Sequence, residues 1–135
     1  MSATASVGTT TTGVLFEVAT DFITLSLPGT DYRIHLVTKA PIGLAVGHRI
    51  TGHIHARAKR VDVLTAGGRY FEPIYGRPRR IQGMVVATDT EHNTISVKCN
   101  AVFICELTAN QSAADFQHGQ LVACNIERGA SFEPI

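Results

Sequence analysis

Apolar and polar residues alternate along much of this chain. Tyr32-Arg33-Ile34-His35-Leu36 and Arg49-Ile50-Thr51-Gly52-His53-Ile54-His55-Ala56 carry an apolar or small residue at every second position, the period of a strand with one buried face. Such runs recur roughly every ten residues, the spacing of small all-β folds. Turn clusters separate them, among them Pro28-Gly29-Thr30-Asp31, Ala66-Gly67-Gly68 and Asp89-Thr90-Glu91-His92-Asn93. The pattern predicts strands over 13–20, 22–27, 32–38, 48–58, 60–65, 69–75, 80–88, 94–99, 101–107, 120–127 and 130–134. Only 109–118 and 40–46 leave room for a turn or two of helix.

The runs repeat as a set. Val18-Ala19-Thr20-Asp21 returns as Val86-Ala87-Thr88-Asp89, and Ile23-Thr24-Leu25-Ser26 aligns with Ile95-Ser96-Val97-Lys98. The segment from Gly47 to Ile54 aligns with that from Gly119 to Ile126, and Phe71-Glu72-Pro73-Ile74 recurs unchanged as Phe132-Glu133-Pro134-Ile135. Four matches in one order predict two copies of a five-stranded unit. With a longer link before the fourth strand, through Leu44-Ala45-Val46-Gly47 and Gln117-His118-Gly119, each copy resembles the OB-fold, a partly open Greek-key barrel. The expected fold class is therefore all-β, two similar five-stranded OB-like β-barrel units in tandem. The first spans 13–75 and the second 81–135, joined by a basic linker at 76–80 and preceded by a flexible Ser/Thr-rich arm at 1–12.

Composition narrows the class. The 135 residues are 44% hydrophobic and 17% charged, enough apolar material for a packed core of one or two small units. Cys99, Cys105 and Cys124 lie in apolar runs with neither disulfide parity nor CxxC spacing, which reads as buried free thiols in a reducing compartment. The first residues, MSATASVGTTTTG, lack the pattern of a secretory signal, and no run approaches a membrane span. A cytoplasmic location without membrane association is the expectation.

Net charge is only +1, but it is unevenly spread. Residues 49–80 hold eight basic and two acidic residues, whereas the remainder holds four basic and nine acidic. Within that window Arg49, Thr51, His53, His55, Arg57 and Lys59 share one strand face. By the repeat, the first copy carries an insertion over 55–70, between its fourth and fifth strands. In an OB-like unit this is one of the loops used on single strands. The resemblance implies a non-catalytic protein that binds single-stranded DNA or RNA through a long basic hairpin. Arg49, Arg57, Lys59, Arg60, Arg69, Arg77, Arg79 and Arg80 would meet phosphates, and Tyr70 and Tyr75 would stack on bases.

Other readings are weaker. His53 and His55, two apart on a strand, with His35 as the sole candidate third, are spaced for a metal, but Arg33, Arg49 and Arg57 surround them. No nucleophile motif or phosphate-cradling loop is present, so neither catalysis nor a cofactor is expected. Ala101-Val102-Phe103-Ile104-Cys105 is apolar in both strand phases, which predicts a second covered face. The cover is either the other unit or another copy in a homo-oligomer. A structural or assembly module with an acidic protein partner is the main alternative function.

Overall fold

The alternating runs fold as eleven strands in the computed structural model, which describes residues 8–135. In chain order they are β1 (Thr11–Val18), β2 (Phe22–Ser26), β3 (Arg33–Val37), β4 (Arg49–Leu64), β5 (Tyr70–Glu72), β6 (Tyr75–Gly76), β7 (Arg80–Asp89), β8 (Thr94–Lys98), β9 (Val102–Glu106), β10 (Leu121–Ile126) and β11 (Ser131–Pro134). All belong to one mixed sheet.

Four boundaries differ from the sequence expectation. The runs at 48–58 and 60–65 are one strand, β4, because a bulge absorbs Lys59: Ala58 faces Ile126 and Arg60 faces Asn125, leaving Lys59 unopposed. The run at 69–75 is two short strands, β5 and β6, on different neighbours, β7 and β3. The segment 109–118 holds only a 3₁₀ turn at Ala113–Asp115, and 40–46 forms no helix. Gln111 ties this loop to β4, accepting from the Val61 N–H and donating to its carbonyl, both at 2.8 Å. Finally, β1 begins inside the expected arm. Thr9 and Thr11 are buried, and the Val102 N–H donates to Thr11 Oγ1 at 2.9 Å; residues 1–7 of that arm lie outside the described residues.

The sheet's pairings return on themselves twice. β1–β2–β3–β11–β4 leads back to β1, and β4–β10–β7–β8–β9 leads back to β4. The sixteen-residue β4 serves both circuits. Its first half pairs with β1 and β11, residues 54–57 run parallel to β9, and 58–64 pair with β10. The strand closing the first circuit, β11, comes from the opposite end of the chain. Inside both lies one apolar cluster that includes Leu15, Ile34, Ile54, Phe71, Val85, Ile95, Phe103 and Phe132.

Corresponding backbone bonds occur in the two circuits. Leu15 N–H donates to the His48 carbonyl at 2.9 Å and Gly47 N–H to the Leu15 carbonyl at 2.8 Å. Val85 with Gln120, and Gly119 with Val85, repeat these bonds at the same lengths. Gly47 and Gly119 sit at φ 95° and 93°, the left-handed region that favours glycine. Each first strand bulges just after the same point, at Phe16 in β1 and at Val86 in β7. These bonds set Leu15 opposite Val85 in the comparison, so the two Val-Ala-Thr-Asp segments stand two residues out of step. The two Phe-Glu-Pro-Ile segments both bury their Phe, but Phe71 lies on β7 and Phe132 between β4 and β3.

Within the single chain Ala101, Val102, Phe103 and Cys105 of the doubly apolar run are already buried, and only Ile104 is partly exposed; β4 and β8 are the strand's hydrogen-bonded neighbours.

Candidate nucleic-acid interface

Residues of the expected basic site divide into two groups in space. β5 lies against β7, so 55–70 does not stand out as a free hairpin; the second half of β4 lies in the sheet against β10. On that half Arg57 pairs with Glu106 at 3.3 Å and Arg60 with Asp62 at 3.0 Å, which offsets two of the expected cations. Lys59 is exposed at the bulge. Arg69 donates to Met84 Sδ at 2.6 Å. Tyr70 is half-buried, its hydroxyl donating to Gln82 Oε1 at 3.2 Å. Arg79 is exposed and Arg80 half-buried beside it.

The second group lies on the outer face of β1, β2, β3 and β6. Directly opposed residues form a row across five strands: Arg49 faces Val14, Val14 faces Ser26, Ser26 faces Arg33, and Arg33 faces Tyr75. At strand spacing of nearly 5 Å the row is about 19 Å long. Arg49 occupies one end, Tyr75 the other, and Arg33 the place next to Tyr75.

Three further rings crowd this row. The bulge at Phe16 turns it outward beside Glu17, while Leu15 stays in the core, and Phe16 is left 42% exposed. Tyr75 meets it edge-on at 6.5 Å, and the Arg33 guanidinium lies 4.2 Å over its ring, within cation–π range. His35 meets Tyr75 at 5.4 Å and stacks on Phe22 at 5.9 Å. Beneath them Thr24, wholly buried, donates to Glu17 Oε1 at 2.9 Å. Tyr75 is 53% exposed, and its neighbour Ile74 and, farther along β3, Val37 are also open. Arg77 and buried Pro78 border a concavity of about 240 Å³ against Phe22, His35 and Val37.

Of the residues expected at the basic-hairpin site, Tyr75, Arg49 and Arg77 lie on or beside this face instead; Phe16, Phe22 and Arg33 were not among them, and His35 was weighed only as a metal ligand. His35 in fact faces Thr24 on β2, among aromatic rings, away from His53 and His55 on β4. Among the described residues no group of three or more His, Cys, Asp or Glu is placed to hold a metal ion.

A second concavity lies over β4 where the circuits meet, lined by His55, Glu106, Arg128, Lys39 and Glu133 among others, with a volume of about 760 Å³. His55 Nε2 pairs with Glu133 Oε1 at 2.9 Å, and this bond holds the Glu133 carboxyl below its ordinary range. In the adjoining concavity His92 Nδ1 pairs with Asp89 at 2.8 Å, lowering the aspartate and raising the histidine. The three cysteines are buried in the core; desolvation pushes the Cys99 thiol up to about 12.

No helix among the described residues is long and apolar enough to cross a membrane. No protein-family model, curated protein or solved structure matches the chain.

Proposed function

We propose that this protein binds single-stranded nucleic acid, DNA or RNA, on the outer face of β1–β2–β3–β6. The observation that carries the proposal is the cluster of exposed Phe16 and Tyr75 with half-buried Phe22 and His35, threaded by Arg33 and flanked by Arg49 and Arg77. Bases stack on aromatic faces whatever their identity, and guanidinium groups beside them neutralise phosphates. In OB-folds the face of the second and third strands carries oligonucleotides. Accordingly we read each closed circuit of five strands as one OB-like barrel, the pair sharing β4 and exchanging their last strands. The basic residues on the second half of β4 serve less directly, since Arg57 and Arg60 have acidic partners.

Exposed Val37, Ile74 and Phe16 on this face favour one other reading, an assembly surface for another protein chain. Titration of fluorescent single-stranded DNA and RNA at several salt concentrations separates the two. Binding that weakens as salt rises supports the nucleic-acid reading. Absence of binding at low salt, with self-association lost in a Phe16→Ser variant, supports assembly.

A further inference from the structure

The strand carrying His53 and His55 lies in line with the aromatic face. Phe22 on β2 faces Val37 on β3, Val37 faces Ser131 on β11, and Ser131 faces His55 on β4. Three strand spacings separate Phe22 from His55, about 14 Å. A chain stacked on the aromatic rings that continues across Val37 and Ser131 therefore arrives at the two imidazoles.

We propose that His53 and His55 form a metal-independent acid–base pair that cleaves RNA, an activity that rests on the nucleic-acid reading above. Their rings lie 6.1 Å apart, room for one phosphodiester between them. His55 is tied through Nε2 to Glu133, which fixes the ring and offsets the charge of an imidazolium, leaving Nδ1 for the substrate. His53, directly opposite Glu133 on the neighbouring strand, has its Nδ1 buried without a hydrogen-bond partner among the described residues, and we assign it the part of the base. Lys39 and Arg128, which share the concavity beside His55 with Glu106 and Glu127, are the cations available to the phosphoryl oxygens.

The step is a transesterification. His53 takes the proton of the ribose 2′-hydroxyl as the 2′-oxygen bonds to phosphorus. The bond from phosphorus to the 5′-oxygen breaks, and that oxygen receives its proton from the His55 imidazolium. The products are a 2′,3′-cyclic phosphate and a 5′-hydroxyl. Solvent then returns both histidines to their starting protonation states. DNA, having no 2′-hydroxyl, is bound and left intact.

The test incubates the full chain with labelled single-stranded RNA and with DNA of the same sequence in excess EDTA. Binding is followed by anisotropy, and cleavage on denaturing gels with the 2′,3′-cyclic end identified by mass. Expected is RNA cleavage with DNA untouched, reduced about 100-fold or more in His55→Ala and in His53→Ala, while both variants remain folded by their melting transitions and still bind single strands. RNA bound and left intact overturns the proposal and leaves the binding reading standing. Cleavage that persists in either variant, purified in parallel, also overturns it. Failure to bind any single strand removes both readings. If His53→Ala fails to fold, His53→Asn, which retains a polar side chain there, is judged by the same criteria.

Discussion

Replacing Tyr75 by Ala should weaken single-strand binding without changing its dependence on salt. Tyr75 is 53% exposed and is held edge-on by Phe16 and His35, so its ring is positioned before a base arrives. Stacking on one such ring contributes about 1–3 kcal/mol per base, an affinity loss of roughly 5- to 150-fold. Charge contributes separately. Arg33, Arg49 and Arg77 border the rings, and three phosphate contacts at about −0.7 each give a log–log salt slope near −2. Tyr75→Ala removes no cation, so the slope should stay there while the affinity falls. Tyr70 supplies the internal control. Its hydroxyl donates to Gln82 in a half-buried setting, so Tyr70→Phe removes that bond and should shift affinity by about twofold or less. Anisotropy of a labelled oligonucleotide at four salt concentrations measures both quantities. Parent-like binding by Tyr75→Ala, or an equal loss in Tyr70→Phe, would refute the assignment of the stacking face.

Phe132 is 2% exposed on the strand that closes the first circuit, so Phe132→Ala should cost about 3–5 kcal/mol in urea unfolding; a loss under about 1 kcal/mol would mean that β11 contributes little to the core. The buried thiols of Cys99, Cys105 and Cys124, with Cys99 pushed up to about 12, should resist a disulfide reagent at pH 8 in the native protein and react in urea. A rapidly reacting native thiol would contradict their burial. Glu133, bonded to His55, titrates below its ordinary value of 4.5. Its ionised form therefore adds stability that is present above that value and lost as pH falls through the folded value. Both side chains are largely open to water, so the effect is small. Urea unfolding of Glu133→Gln should show a shallower acid-side loss than the parent, and identical acid limbs would count against the pairing.

Strand positions were legible because a strand with one buried face repeats every two residues, and Ile50, Gly52, Ile54, Ala56 and Ala58 hold that phase and are buried. The phase itself could not show that β4 continues past Lys59, since a bulge shifts the alternation in the same way a turn does. The short helix expected at 109–118 yields to the pairing of Gln111 with Val61, a contact across fifty residues that local composition does not encode. The site was legible only in part. Charge density marked 49–80, but ion pairs with Glu106 and Asp62 offset Arg57 and Arg60, and only pairing between strands reveals such partners. Phe16 and Tyr75 lie far apart in sequence and meet because β6 adds to β3 and β1 to β2. A signal was available for Phe16: it follows Leu15 and breaks the alternation of its strand, the mark of a bulge that turns a side chain outward.

The location of binding on the molecule tests the central claim most directly. A single-stranded oligonucleotide titrated into isotope-labelled protein should move the amide resonances of residues 14–17, 22–24, 33–37 and 74–77 together, along one saturating curve. Shifts at 57–65 should be smaller. Shifts confined to 57–65, or none at oligonucleotide concentrations that saturate the anisotropy, would contradict an aromatic face built on β1, β2, β3 and β6.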